Sequence, residues 1–305
     1  MSKGKALLIL HGKQALNEEV RAAVMLRRKQ GWDLAVRLTW EAGDARRCVE
    51  EALEAGYTRL IAGGGDGTLR DIAEAMALDS SDASLVLLPL GTANDFARAV
   101  GVPLEPDRAL DLLDVEPHPI DLGEVGGRIF LNMATGGFGS QVTANTSEEL
   151  KKVLGGAAYL FTGLTRFSEL SAAYGELQGP GFSWRGDLLA LGIGNGRQAG
   201  GGHELCPQAL VDDGLLDISI LPAPQEVVST LKDLLAGGLG IDNMFVRARL
   251  PWVEIKVAQG LDINLDGEPL QVDSLRFTVR PKALRVHLPP DSPLLAASAT
   301  LSHPG

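Results

Sequence analysis

Cysteine is scarce in this sequence. Its 305 residues include two cysteines, Cys48 and Cys206, and neither belongs to a CxxC pair or stands beside histidines at metal-ligand spacing. A disulfide framework and a cysteine-based zinc site are therefore excluded. We expect both thiols to pack as small apolar side chains in a protein of a reducing, cytoplasmic compartment.

A basic excess and a long hydrophobic run are also missing. The 28 basic and 39 acidic side chains give a net charge of −11, and no arginine-rich tract offsets it, which argues against nucleic acid as a partner. Near the N-terminus only ALLIL, residues 6–10, is continuously apolar, and five residues are too few for a signal peptide or a membrane span. This run predicts a buried strand.

The first part of the chain, residues 1–118, alternates strand and helix patterns. Asn17 and Asp44 are placed as N-caps of two predicted helices. Short apolar runs without polar alternation predict strands buried on both faces, at 6–10, 34–39, 60–62 and 85–90. This order predicts a doubly wound α/β domain with a parallel sheet, whose ligand crevice lies beyond the carboxyl ends of the strands.

The pattern changes after about residue 118. Strand-like runs follow closely, separated by Gly, Pro and Asp, and predict an antiparallel, β-sandwich-like domain over residues 119–285. Two helices are expected within it, at roughly 147–170 and 225–237. Residues 286–305 form a C-terminal tail that we expect to return to the N-terminal domain.

The segment GGGDGT, residues 63–68, follows the predicted strand at 60–62. A glycine loop between a strand and a helix lets main-chain N–H groups approach a phosphate, so the segment predicts a phosphate site. Asp66 is electrostatically unfavourable beside a phosphate unless a cation or a substrate hydroxyl lies between them. The alternative is that Asp66 and Thr68 only form a turn and a helix cap. Neither GxxxxGK[ST] nor a full GxGxxG is present.

A second polar cluster, GTAND at 91–95, follows the next predicted strand. Gly91 permits close backbone approach, and Thr92 and Asn94 supply small hydrogen-bonding side chains. We expect the two strand ends to share one nucleotide crevice, although Thr92 or Asn94 could equally cap the following helix.

Several motifs in order resemble those of the diacylglycerol and sphingosine kinase catalytic family. They are GGGDGT, LGTANDFAR, GNGRQAGGG followed by CPQALVDDGLLD, and NLDGEPL. The resemblance is closest to the bacterial YegS-type lipid kinases, through TWEAGDA at 39, NMATGGFGS at 132 and LPPDSPLL near the end, and it covers essentially the whole chain.

The resemblance implies an enzyme that transfers the γ-phosphoryl group of ATP to a lipid hydroxyl. The implied fold is an α/β domain like those of phosphofructokinases and NAD kinases, facing the sandwich-like domain across an active-site cleft. The implied nucleotide-binding residues are Thr39, Gly64, Gly65, Asp66, Gly67, Thr68, Leu69, Arg70, Asp71, Thr92 and Asn94. Arg70 and Asp71 depart from the family, which usually has Asn-Glu at these two positions.

The resemblance also implies a general base at Glu268, in the LDGE motif, with Asp66 as the second candidate. A base that accepts the proton of the lipid hydroxyl typically contributes about 10²–10⁴-fold in rate. Read from the residues alone, Asp266-Gly267 is also the signal of a type I′ hairpin turn, which would leave Glu268 unexplained.

A metal site is implied at Asp213 with the carbonyl groups of Leu210 and Leu215, an oxygen-only set suited to Mg²⁺, with Ca²⁺ or Mn²⁺ as alternatives. A single carboxylate makes a weak site, so this cation could be structural or regulatory. The catalytic Mg²⁺ would then arrive with ATP and be held through water by Asp66, Asp95 or Glu268.

The expected acceptor is a membrane lipid, either phosphatidylglycerol or a diacylglycerol. Residues 155–167 could line an acyl groove, although such an apolar helix is more often core. Because the net charge is negative, membrane contact at the inner face is expected to be transient and apolar. The alternatives are a soluble-metabolite kinase of the NAD kinase type and a non-catalytic nucleotide-binding regulator.

Overall fold

The computed structural model describes residues 3–79, 82–136, 139–140, 170–171, 173–199, 203–223 and 245–296. The predicted helix at 147–170, except its last residue, and the predicted helix at 225–237 lie outside the described residues. So does the apolar segment 155–167. Within the described parts, no helix is long and apolar enough to cross a membrane.

The N-terminal part alternates strands and helices as predicted. Its elements are β1 Gly4–His11, α1 Glu18–Lys29, β2 Trp32–Thr39, α2 Asp44–Glu54, β3 Arg59–Gly64, α3 Asp66–Asp79, β4 Ser84–Pro89, α4 Asp95–Ala99 and α5 Pro106–Asp111, with 3₁₀ turns at Gly12–Gln14 and Leu112–Asp114. The four strands pair in parallel in the order β4-β3-β1-β2. Continuous apolar runs are buried in β1 and β4, which explains why these strands show no polar alternation.

Of the two predicted helix caps, the structure confirms Asn17 and contradicts Asp44. The side chain of Asn17 accepts a hydrogen bond from the backbone N–H of Val20, so Asn17 caps α1 as predicted. For α2 the prediction was wrong, because Gly43 occupies the cap position with φ of 90° and Asp44 is the first helical residue. The Asp44 carboxylate instead reaches backward and accepts hydrogen bonds from the backbone N–H groups of Trp40, at 2.7 Å, and Glu41, at 3.0 Å.

The glycine segment is not the open loop that the sequence suggested. Gly63 and Gly64 belong to β3, and Gly65 alone separates this strand from α3. A Cβ atom on Gly63 would lie 2.8 and 2.9 Å from the side chains of Leu8 and Leu10. Glycine is needed at these strand positions because the neighbouring side chains leave no room for a Cβ atom, and not because the backbone adopts an unusual conformation.

The rest of the described chain is formed almost entirely of strands. They are β5 His118–Val125, β6 Arg128–Phe130, β7 Met133–Gly136, β8 Gly139–Ser140, β9 Leu170–Ser171, β10 Ala173–Gly179, β11 Phe182–Gly194, β12 Gln198–Ala199, β13 His203–Glu204, β14 Leu216–Pro222, β15 Val246–Leu250, β16 Trp252–Leu265 and β17 Glu268–Val286. Their pairings with one another are antiparallel, and the strand order runs β15-β14-β11-β10-β16-β17. The structure thus confirms an α/β part followed by a β part.

The long strand β17 joins the two parts. Its second half pairs antiparallel with β5, and its last two residues, Arg285 and Val286, pair in parallel with β4 of the N-terminal sheet. Beyond the strand, the His287 backbone N–H donates to the Leu85 carbonyl at 2.9 Å. Leu288 lies in the same apolar core as the N-terminal strands. The exact division into domains stays a prediction.

Candidate active site

A cleft of about 230 Å³ opens where the N-terminal helices meet the β part. Its walls come from the first turns of α3 and α4, the β6–β7 connection and the turn between β16 and β17. The lining residues are Asp66, Leu69, Asp95, Phe96, Leu131, Asn132, Met133, Thr135, Ala199, Asp266 and Gly267. Three carboxylates from three separate sequence motifs therefore face one cavity.

The glycines bring the ends of β3 and β4 together. The Leu90 backbone N–H donates to the Gly64 carbonyl at 2.7 Å. A Cβ atom on Gly91 would lie 2.6 Å from the Cα atom of Gly65, so no side chain fits between the two loops. The structure thus places the two predicted phosphate segments side by side.

Asn94 shapes the second of these loops from within. Its backbone is in the left-handed region, with φ of 52°. Its side chain accepts from the Gly91 N–H at 2.9 Å and donates to the Gly91 carbonyl at 2.8 Å. Asn94 stands at the cap position of α4 but its side chain makes no capping hydrogen bond there, so its buried amide closes the loop instead.

Asp66 and Asp95 are the two carboxylates on the helix side of the cleft. Burial raises the pKa of Asp66, and the nearby charge of Asp95 raises it further, while hydrogen bonds from backbone N–H groups, including that of Phe96, oppose the rise. The two carboxylates therefore repel each other, and a bound cation would relieve the repulsion.

The remaining predicted nucleotide residues occupy the same edge of the sheet. Thr39 is the last residue of β2, and its carbonyl would lie 2.5 Å from a Cβ atom on Gly12. Gly67 and Thr92 are exposed, and a Cβ atom on Gly67 would have no neighbour within 4 Å. Gly65 precedes α3, while Gly67, Thr68, Leu69, Arg70 and Asp71 lie in its first turns.

Asp266 and Gly267 form the hairpin turn that connects β16 and β17. Both have positive φ, 46° and 91°, as a type I′ turn requires, and Leu265 pairs with Glu268 across the turn. The turn does more than reverse the chain, because the Asp266 carboxylate accepts hydrogen bonds from three consecutive backbone N–H groups, those of residues 131–133, at 2.7 to 3.1 Å. Burial raises the pKa of Asp266 to about 6, although these donors oppose the rise.

Glu268 lies beside the cleft and does not line it. Its side chain is 52% exposed and forms ion pairs with Arg70, at 2.7 Å, and Arg128, at 3.4 Å. Burial acts to raise the pKa of Glu268, but the hydrogen bonds and charges of the two arginines outweigh it, and the net pKa lies below the usual range. In this arrangement Glu268 is a charged carboxylate held between two cations.

Arg70 and Asp71, the two residues that depart from the family pattern, form an ion pair with each other. The Arg70 side chain is 4% exposed and its Nη2 donates to Asp71, at 2.6 Å, as well as to Glu268. Burial acts to lower the pKa of Arg70, and the two carboxylates reverse the effect, so the net pKa is raised. Its Nη1 is buried and has no hydrogen-bond partner among the described residues.

The predicted metal residues lie in the connection before β14, outside the lining of the cleft. The Asp213 carboxylate accepts from the Leu215 N–H at 3.0 Å and forms an ion pair with Arg249. Burial raises the pKa of Asp213, an effect that Arg249 opposes. Within the described ranges, no group of three or more His, Cys, Asp or Glu side chains is close enough to hold a cation. A cation at Asp213 would have to compete with Arg249, so this carboxylate is a poor fit to a preformed site.

Sequence reasoning missed the residues that hold the cleft together. The side chain of Asn195 is fully buried and donates to the carbonyl groups of Asp121 and Leu131, at 2.9 and 2.8 Å. The Asn132 carbonyl accepts the N–H groups of both Asn195 and Gly196. The GNG motif at 194–196 was the available signal, but the carbonyl groups that Asn195 binds are 74 and 64 residues away in the sequence.

Two family models together match most of the chain. The diacylglycerol kinase catalytic domain matches residues 5–125, and the YegS C-terminal NAD kinase beta sandwich-like domain matches residues 133–288. The second match corresponds to the strands that the sequence predicted as sandwich-like.

Curated relatives and a solved structure agree with these matches. A Pseudomonas fluorescens Pf-5 protein named "Probable lipid kinase YegS-like" is 83% identical over 298 residues, 98% of this chain and 100% of the relative. A Pseudomonas aeruginosa PAO1 protein of the same name is 70% identical and covers 97% of this chain and 98% of its own. A diacylglycerol kinase structure from Bacillus anthracis Sterne has the same fold, with a TM-score of 0.74, 20% identity and coverage of 96% and 100%. The chain is therefore a kinase that belongs to the diacylglycerol kinase catalytic-domain family, within its YegS-like branch.

Proposed function

We propose that this protein transfers the γ-phosphoryl group of ATP to the hydroxyl group of a membrane lipid such as phosphatidylglycerol or a diacylglycerol. The observation that carries the proposal is that the starts of α3 and α4, each of which follows a glycine-containing segment at the end of a strand, bring two carboxylates to the same cleft as Asp266. Membership of the family supports the reaction class. Transfer through a loose transition state needs alignment and charge neutralisation, and this cleft supplies groups for both.

The phosphate groups of ATP would lie over the start of α3. The exposed backbone around Gly67 has open space above it, and the helix N-terminus carries a partial positive charge that attracts anions. Arg70 Nη1 is a buried donor without a described partner, and a phosphate oxygen would satisfy it. We propose Thr39, Thr92 and the residues from 64 to 71 as the nucleotide-binding set, with Asn94 acting through the shape of its loop.

The carboxylates of Asp66 and Asp95 fit a magnesium ion that enters with the nucleotide and that they would hold through its water ligands, which leaves an Asp66 oxygen able to accept a proton. Magnesium prefers oxygen ligands, keeps several waters and is commonly bound through one or two carboxylates together with substrate phosphates. The mutual repulsion of the two carboxylates is the structural feature that a cation would relieve. When bound, the ion would neutralise charge on the transferred group. Asp213 would hold a second, non-catalytic cation only by giving up its ion pair with Arg249.

Two carboxylates, those of Asp66 and Glu268, are candidates for the general base. The acceptor hydroxyl forms a bond to the γ-phosphorus as the bond to the leaving ADP oxygen breaks, and its proton passes to a carboxylate. Asp66 lines the cleft and has a raised pKa, which suits a base. Glu268, to which the family resemblance points, would first have to separate from Arg70. The geometry therefore favours Asp66, whereas the motif favours Glu268.

Transfer of labelled γ-phosphate from ATP and Mg²⁺ into extracted bacterial membrane lipids tests the proposal. We expect label in one lipid species with the wild-type protein and none with Asp66→Asn. Glu54→Gln is the matched control, because Glu54 is an exposed carboxylate at the far end of α2. Label in NAD instead of lipid, or ATP binding without transfer to any acceptor, would contradict the proposal.

A further inference from the structure

Two large apolar side chains at the cleft edge of the sheet are almost entirely exposed. Leu16 is 93% exposed and Trp40 is 94% exposed, whereas every other exposed large apolar side chain in the described residues is at 50% or less. Single exposed apolar residues are ordinary on protein surfaces. Two of this size, both presented by loops at the same edge, need a physical reason.

Trp40 continues an apolar row along the edge strand β2. Val36 and Leu38 lie on the same face of β2, and Trp40 follows directly after the last residue of the strand; their exposed fractions are 38%, 50% and 94%. The row therefore becomes more exposed toward the carboxyl end of the strand. We call Leu16, Val36, Leu38 and Trp40 the rim patch.

Hydrogen bonds hold both loops of the rim patch in place. In the loop of Leu16, the Gln14 side chain donates to the Leu90 carbonyl at 3.0 Å, and the Asn17 side chain donates to Gln14 at 3.0 Å. In the other loop, the Asp44 carboxylate accepts a hydrogen bond from the Trp40 backbone N–H at 2.7 Å. The side chains are thus presented on ordered backbone rather than on free ends.

The rim patch and the cleft share one edge of the molecule. Strands β1 and β2 run in parallel, with His11 opposite Thr39, so the loops that follow them leave from the same edge. The Gln14 contact with Leu90 joins the Leu16 loop to the segment that begins the second phosphate loop. A flat surface that touched Leu16 and Trp40 would therefore lie against the edge on which the cleft opens.

We propose that the rim patch docks on a lipid bilayer, with Leu16 and Trp40 entering the region between headgroups and acyl chains. This inference rests on the proposed function, in which the acceptor lipid has to pass from a bilayer to the cleft. Tryptophan suits this region because its ring is apolar and its N–H is polar. A second copy of the chain fits less well, because edge-to-edge pairing along β2 would use the strand's backbone groups and leave Leu16 and Trp40, which lie outside the strand, beyond the pairing.

Sedimentation of the full-length protein with phosphatidylcholine vesicles, without nucleotide, tests the docking surface. Leu16→Ser with Trp40→Ser should weaken vesicle binding by about tenfold or more, given the apolar area each side chain would bury. The matched control is Leu78→Ser with Tyr174→Ser, two exposed apolar side chains away from this edge, which should bind as the wild type does. Binding should also persist when NaCl is raised from about 0.1 M to about 1 M, because the contact is apolar.

Activity measurements separate this inference from the proposed function. The rim variant should phosphorylate a short-chain acceptor dispersed as monomers at the wild-type rate, and lose activity only toward the same headgroup in vesicles. Vesicle docking without lipid phosphorylation would overturn the proposed function and leave the docking surface intact. Equal vesicle binding by wild type and rim variant, loss of ATP binding in the variant, or loss of self-association instead of vesicle binding would each overturn the docking surface.

Discussion

The charge network around Glu268 links the α/β part to the β part through single side chains. Arg70 joins Glu268 to Asp71, and Arg128 joins Glu268 to Glu74, so two arginines connect helix α3 with the β16–β17 hairpin. Sequence reasoning identified Glu268 but not these partners, because they depend on contacts between residues up to 198 positions apart. The partners matter since they set the charge state of the candidate base.

Replacing Glu268 with glutamine tests its role directly. If Glu268 is the base, transfer falls by about 10²–10⁴-fold while ATP affinity is kept, because the amide cannot accept the proton. Single-turnover kinetics and equilibrium ATP binding measure the two effects. Glu74→Gln serves as the comparison, since it removes the other carboxylate partner of Arg128 and lies outside the proposed nucleotide-binding set. Near-normal turnover by Glu268→Gln would transfer the role to Asp66.

The Asp213 site can be tested by its response to Mg²⁺. If Asp213 holds a cation, Mg²⁺ should raise the melting temperature of the wild-type protein, and Asp213→Ala should abolish that rise with little change in nucleotide binding. Arg249→Gln should strengthen the Mg²⁺ response, because it removes the cation that now pairs with Asp213. The measurement is the melting temperature of the three proteins over a Mg²⁺ titration. An identical rise in all three would show that Asp213 does not bind the cation.

At the scale of elements, the junction of β3 and α3 shows two different uses of glycine. Gly64 ends the strand at a point where a Cβ atom would lie 2.5 Å from the Thr68 hydroxyl oxygen, so its role is packing. Gly67 lies in the first turn of the helix, and a Cβ atom there would meet nothing within 4 Å. Replacing each glycine with alanine should therefore distinguish the packing role of Gly64 from the open position of Gly67.

Gly64→Ala and Gly67→Ala should change stability in opposite directions. Gly64→Ala should destabilise the protein by about 1–3 kcal/mol through overpacking. Gly67→Ala should stabilise it by roughly 0.5–1 kcal/mol, because alanine is the better helix former, and should weaken ATP binding by obstructing phosphate approach. Urea unfolding and ATP titration measure both quantities. Unchanged ATP affinity in Gly67→Ala would place the phosphates elsewhere.

At the scale of the whole molecule, the residues after β17 fasten the C-terminal segment to the N-terminal sheet. His287 is fully buried, its Nε2 lies 2.8 Å from the Ser84 hydroxyl oxygen, and its Nδ1 lies 2.6 Å from the Val115 carbonyl oxygen. The Nδ1 atom must donate to the carbonyl. In a neutral ring Nε2 then accepts the proton of the Ser84 hydroxyl, which also has the Thr58 carbonyl oxygen within 3.3 Å. Burial lowers the pKa of His287, a shift that the contact with Val115 opposes.

The stability contributed by His287 should depend on pH. Because its folded pKa lies below its unfolded value of about 6.5, the contribution is complete above that pH and is lost as the pH falls toward the folded pKa. His287→Phe should be less stable at pH 7.5, since Ser84 and Val115 lose their partner, and the deficit should shrink toward pH 5. Asp217 and Asp266, whose pKa values are raised to about 6, act in the opposite direction, so the difference between the two proteins is the quantity to measure. A deficit independent of pH would contradict the neutral, buried assignment.

The sequence by itself determined the order of strands and helices in the N-terminal part, the change to antiparallel strands near residue 118 and the motifs of the family. These features depend on local periodicity and on residue types within short segments, which a linear reading captures. Asn17, whose capping bond reaches only three residues, was predicted correctly for the same reason.

Tertiary structure alone decided how the motifs meet. In the folded chain Gly63 and Gly64 are strand residues. The Asp266 carboxylate accepts hydrogen bonds from the backbone of residues 131–133, and Glu268 forms an ion pair with Arg70. Each of these outcomes depends on the packing distance between segments far apart in the chain, and on the charge and solvent access that result. Residue types limit which contacts can form, but only the folded arrangement sets which of them do, and with it the pKa shifts of Asp66, Asp266 and Glu268.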